Sequence, residues 1–157
     1  MQANAIKNTL VLGLGNLILQ DEGVGIHAIR ALEAGEGGPL PPGVTTLDGG
    51  TGGFQLVGDI QEHDHVIMID ATLDGRPPGT VTVIEPRRAA DFPPLLSAHE
   101  IGIRDMIEAM TLTGDIPRIH LITISAANIN DIGMELTPAV RAAIPEVIAR
   151  VKALLNE

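Results

Sequence analysis

Acidic side chains and a histidine stand at points where an α/β chain does chemistry. Asp21 and Glu22 are adjacent and follow an apolar run and a glycine turn within LVLGLGNLILQDEGVG, residues 10–25. Asp70 closes the apolar run Val66-Ile67-Met68-Ile69. Ser97 and Glu100 have the spacing of a capping box, which puts His99 at the second position of a helix. Ligands of open α/β sheets bind in the crevice outside the carboxyl ends of the strands, where Glu22 and Asp70 would both fall. A helix N-terminus disfavours an imidazolium, so His99 is expected neutral and able to ligate through one ring nitrogen. Glu22, Asp70 and His99 together make a carboxylate, carboxylate, imidazole set that suits a borderline divalent ion such as nickel or zinc and leaves positions open for a further ligand. Each has an ordinary alternative: an acid in a first helical turn complements the helix dipole, an Asp after a strand makes turns, and a first-turn His is often solvated. The other histidines compete poorly. His63 and His65 precede their strand and fall at the wrong end of the sheet, His120 lies within a strand and His27 on the first helix; all are read as structural or solvated.

Other chemistries fit less well. The turn GLGNLI lacks the third glycine of a dinucleotide fingerprint, since Ile18 stands there, and Asp48 comes too late for the ribose-binding acid. The only serines are Ser97 and Ser125, and neither sits in a nucleophile elbow. There is no Cys, which removes thiolate catalysis, disulfides and thiolate metal sites. A net charge of -10 argues against a nucleic-acid partner.

The elements that must position these residues alternate. Residues 9–14 read as a strand, 22–34 as a helix with apolar positions Ile26, Ala28, Ile29 and Leu32, and 35–43 as a Gly-Pro loop. Residues 44–47 form a short strand, 48–53 a glycine turn, and 54–61 a short helix. The run 66–69 has the continuous apolar character of a strand buried on both faces. Residues 80–84 are a strand close enough to the preceding one to pair with it as a hairpin, and 86–96 an irregular crossing. A helix follows from Ser97 to about residue 111, then a strand at 118–124. Thr137-Pro138 caps a last helix whose stripe is Val140, Ile144, Val147, Val151 and Leu154, with a kink expected at Pro145. The order implies an α/β three-layer sandwich, about five strands in a mostly parallel sheet with helices on both faces. At 157 residues a single domain, 1–157, is expected. The N-terminus lacks a signal-peptide pattern and no apolar run is long enough for a membrane span, so no membrane and a cytoplasmic location are expected.

Five motifs in this order carry a resemblance: LGLGNLILQDEGVG, LDGGTGG, MIDA, SAHEIGI and GMELTP. Across nearly the whole chain the sequence resembles the hydrogenase maturation endopeptidases, which process the large subunit of nickel-iron hydrogenases. The resemblance implies an aspartic-type, metal-dependent endopeptidase that removes a C-terminal extension from the hydrogenase large-subunit precursor after nickel insertion. It also implies that Glu22, Asp70 and His99 contact the metal and that Asp48, the acid of the DGGT motif, takes part in function. Nickel would sit in the substrate and be bridged to the protease, with zinc or another divalent ion able to substitute in vitro. Either the metal polarises the scissile carbonyl, or it serves recognition and Asp48 is the general base. A non-enzymatic nickel-binding or escort protein for hydrogenase assembly is the alternative.

Overall fold

In the computed structural model, residues 8–92, 103–114 and 116–157 are described. The chain opens with β1 (Thr9–Leu14), a 3-10 turn (Gln20–Gly23) and α1 (Val24–Glu33). Then come β2 (Val44–Gly50), α2 (Gln55–Gln61), β3 (His65–Thr72) and β4 (Val81–Ile84). A short 3-10 helix (Ala89–Asp91) precedes α3 (Ile103–Thr113), β5 (Arg118–Ser125) and α4 (Pro138–Leu155). Among the described residues these strands form a five-stranded sheet of order β2-β1-β3-β5-β4. Every pairing is parallel except that of β4 with β5.

The layers follow from the period-2 alternation of strand side chains. Val11, Ile67, Ile69, Ile122 and Ile124 face α1 and α4, packing with Ile29, Val140, Val147 and Val151. Leu10, Leu12, Val66, Met68 and Leu121 face the other way, against Leu56 and Ile60 of α2 and Met106, Ile107 and Met110 of α3. Because both faces are covered, β1 and β3 are buried along their whole length. None of the helices among the described residues is long and apolar enough to cross a membrane.

The expected three-layer architecture holds, with corrections. Residues 20–23 form a 3-10 turn, so Glu22 precedes α1 and does not begin it. β2 runs on through Asp48 to Gly50, because β1 offers it parallel partners up to Leu14 with a register shift between Gly13 and Leu14. β3 continues past Asp70 to Thr72, since Asp70, Ala71 and Thr72 pair with Thr123, Ile124 and Ser125. The sheet is mixed, but not through a β3–β4 hairpin: β1 and β5 occupy the two edges of β3, and β4 pairs antiparallel with the outer edge of β5. The capping box at Ser97 lies outside the described residues.

Candidate functional site

From β1 the chain turns to one side of the sheet, to β2; from β3 it passes to the other side, to β5 and β4. The crevice between the carboxyl ends of β1 and β3 is therefore the topological switch point, the place where open α/β sheets bind ligands. Glu22 and Asp70 are found there. Glu22 lies in the 3-10 turn that follows β1, which packs against β3, and is 1% exposed. Asp70 is 0% exposed, and its Oδ1 accepts the Ala71 N–H at 2.7 Å. Along β3, Asp70 extends the row of Val66 and Met68, the side of the sheet that α2 and α3 cover.

The close approach of α1 sets this geometry. A Cβ added at Gly25 would overlap the carbonyl oxygens of Ile69 and Leu14, so the first turn of α1 lies directly on the ends of β1 and β3. Gly15, at φ 139, is equally constrained, because a Cβ there would overlap the Glu22 carbonyl. Glycines thus bring the backbone of Glu22 down beside Gly15 at the end of β1, and set Gly25 against Ile69, the residue before Asp70 on β3.

Asp48 is placed differently. It is exposed near the end of edge strand β2, where its Oδ1 accepts the Gly50 N–H at 3.0 Å. In register Asp48 and Ile69 flank Gly13 on either side, which separates their backbones by two strand spacings, roughly 10 Å. That register puts Asp48 on the α1 side of the sheet, where Thr46 two residues earlier bonds Glu33 of α1 at 2.8 Å. The carboxylates of Asp48 and Asp70 therefore belong to opposite faces and could meet only across the open ends of the strands. His99 lies outside the described residues, and among the described residues no group of three His, Asp or Glu side chains gathers as a metal site.

Asp21, the neighbour of Glu22, is a buried anchor that residue type alone does not reveal. It is 0% exposed and bonds a segment more than a hundred positions on. Its Oδ2 accepts the N–H groups of Ala127 at 2.8 Å and Asn128 at 3.0 Å and the Thr137 hydroxyl at 2.8 Å, while Oδ1 accepts the Thr137 N–H at 2.8 Å. Thr137 is the N-cap residue of α4, as expected, but its hydroxyl donates to Asp21 and makes no capping bond. In the sequence its only sign is its place in the acidic pair. Next to it Gln20 adopts φ 47, a left-handed conformation that costs a non-glycine residue about 1–2 kcal/mol. It is held by the Gln20 N–H bond to Gly133 O at 2.9 Å and the Gly133 N–H bond to Ile18 O at 2.8 Å.

The histidines expected to be structural have bonded places. His27 Nε2 lies 3.0 Å from Met134 O. Burial pushes the His27 pKa below its ordinary 6.5, with the Met134 carbonyl opposing and Arg30 and Arg141 assisting. His65 Nε2 and His120 Nδ1 are 2.8 Å apart and buried, at the end of the sheet away from the crevice. Burial lowers the His120 pKa against the pull of Glu85.

An open, mostly parallel sheet with paired acids at its switch point defines an α/β protein with a buried acidic site. The comparisons supply its family. The hydrogenase maturation protease model matches residues 26–154, and this chain belongs to that family. The hydrogenase 2 maturation protease of Escherichia coli K12 is 37% identical over 151 residues, 94% of this chain and 90% of its own length. The structure of the hydrogenase maturating endopeptidase HybD from E. coli superposes with a TM-score of 0.84 at 34% identity, over 95% of this chain and 92% of that one. The [NiFe] hydrogenase maturation protease HybD from Thermococcus kodakarensis gives a TM-score of 0.70 at 26% identity, over 94% of this chain and 99% of that one. The chain is accordingly a hydrolase of the protease class.

Proposed function

We propose that this protein is the endopeptidase that removes the C-terminal extension of a nickel-iron hydrogenase large-subunit precursor after nickel insertion, acting in the cytoplasm. The observation that carries the reading is the burial of Glu22 and Asp70 at the switch-point crevice, in a chain of the hydrogenase maturation protease family. Two carboxylates without any Cys form a hard-to-borderline donor set that suits nickel or zinc. His99, from its place in the sequence, supplies the third donor. Three such donors would leave coordination positions open for ligands from the precursor, so the residues would hold a nickel ion already inserted in the substrate and recognise it there. Bound in this way, the ion also offers Lewis-acid polarisation of the scissile carbonyl.

Asp48 is the general base in this reading, which makes the protease aspartic in type. Its exposure at the end of β2 leaves Oδ2 open to take a proton from water attacking a peptide that lies across the ends of β2, β1 and β3. The peptide spans the strand ends, because Asp48 and Asp70 sit on opposite faces.

The test uses nickel-loaded and nickel-free precursor, each with its C-terminal extension. Wild-type protein is expected to shorten the first and leave the second intact, and a chelator is expected to stop cleavage without lowering the melting temperature of the protease, whose core is built by sheet and helices. Equal cutting of both precursors would remove nickel from recognition. Stoichiometric binding with no loss of precursor mass would identify a nickel-binding escort protein instead.

A further inference from the structure

We propose that Asp21 is a positioning residue of this site: its buried carboxylate locks the turn that carries Glu22 to a strap, residues 127–137, and so sets the direction of the Glu22 carboxylate. The inference rests on the reading of Glu22 as a metal contact. Three observations carry it. The turn Gln20–Gly23 has no side-chain cap bond at its start to anchor it. The fixing comes from Asp21, whose N–H donates to Asn128 O at 3.1 Å and whose side chain accepts from Ala127, Asn128 and Thr137. Those partners are the two feet of the strap, which the single carboxylate gathers at one point.

The strap is stiff between its feet. Asn128 Oδ1 accepts the N–H groups of Asn130 at 2.9 Å and Asp131 at 3.2 Å, and Asn128 Nδ2 donates to Asp131 at 2.8 Å. Gly133 bonds both Ile18 and Gln20, and the Met134 carbonyl meets His27. The strap therefore forms a fixed wall beside the crevice, hung from the residue adjacent to Glu22. A carboxylate suits four donors because it is acceptor-only. An amide has one acceptor oxygen, and in the better of its two orientations its NH2 would face the Thr137 N–H.

The test compares the full-length chain with Asp21→Asn, Thr137→Val and Thr137→Ser. Nickel chloride is titrated into each by calorimetry, and kcat/KM is measured on nickel-loaded precursor, at a temperature where circular dichroism shows all of them folded. Loss of an outer partner of a metal ligand typically costs about 10–100-fold in affinity or activity. Asp21→Asn is therefore expected to raise the nickel Kd and lower kcat/KM at least about tenfold. Thr137→Val, which removes one of the four bonds, is expected to fall between it and wild type, and Thr137→Ser, which keeps the hydroxyl, to restore wild-type values. Variants that melt earlier but bind nickel and cut precursor as wild type does would overturn the proposal and leave Asp21 a stabilising residue. Should Asp21→Asn not fold, equal nickel affinity in Thr137→Val and Thr137→Ser overturns it as well. A wild-type protein that neither binds nickel nor cuts would bring down the reading of Glu22 and this role with it; a wild type that does both, matched by its variants, brings down this role alone.

Discussion

Asp48→Asn separates hydrolysis from metal capture. The exposed amide can still accept the Gly50 N–H, so folding and nickel affinity should stay near wild type, while single-turnover cleavage should slow by roughly 100-fold if Asp48 takes the proton from water. Unchanged cleavage would confine Asp48 to its local turn. If Glu22 and Asp70 hold nickel as proposed, Glu22→Gln and Asp70→Asn should instead weaken nickel binding and cleavage together, because each removes one of few anionic donors. Calorimetry and gel assays on the same preparations give both quantities, and a variant that loses cleavage with full nickel affinity would contradict the donor role. Glu22 and Asp70 are legible in the sequence because residue type and position say enough: an acid next to an apolar strand end in an α/β pattern. Asp21 is not. Its neighbour relation to Glu22 is visible, but its partners, Ala127 and Thr137, are 106 and 116 positions away, and sequence carries no sign of which of two adjacent carboxylates turns toward them.

At the scale of elements, the contact of α1 with β1 and β3 holds the crevice in shape. Gly25→Ala would force a methyl group against the carbonyls of Ile69 and Leu14, which belong to backbone that cannot rotate away. A cost of about 1–3 kcal/mol is expected, read as a lower denaturant midpoint with unchanged slope. A midpoint equal to wild type would show that α1 can lift from the sheet at no cost. Strand and helix identities are legible from apolar runs and glycine punctuation, as β1, β3, β5 and α4 show. Strand ends and partners are less so. β3 extends through Asp70 because β5 supplies a partner for it, and that partner is 53 positions away in the register of Asp70 with Thr123. The pairing of β4 is set by which sheet edge remains free after the α3 crossover places β5 beside β3, a property of topology that local sequence does not contain.

For the whole molecule, acid stability should change in two windows. His120 and His27 have folded pKa values below the ordinary 6.5, chiefly from burial. The unfolded chain then binds more protons than the folded one as pH falls below about 6.5, so this contribution is fully present above 6.5 and is lost as pH descends through the folded values. The carboxyls of Asp74 and Glu85 are also lowered, Glu85 by its hydrogen bond to Arg118 and Asp74 by those from Ser125 and the Arg76 N–H, against desolvation that raises both. Their contribution is lost at lower pH, from below about 4.5 for Glu85 and 3.8 for Asp74. Melting temperature measured from pH 8 to 5 should therefore be flat and then fall, and His120→Gln should make the fall shallower; an identical slope in that variant would remove His120 as its source. The central claim, that the acidic crevice cuts a nickel-bearing precursor, is tested most directly by an intact-mass time course of nickel-loaded, C-terminally extended large subunit with catalytic amounts of wild-type protein and of Asp70→Asn. The expected result is stepwise replacement of the precursor mass by one shorter product, with turnover beyond one equivalent for wild type and none for Asp70→Asn. An unchanged precursor mass with wild type, or the same product formed at the same rate by Asp70→Asn, would contradict it.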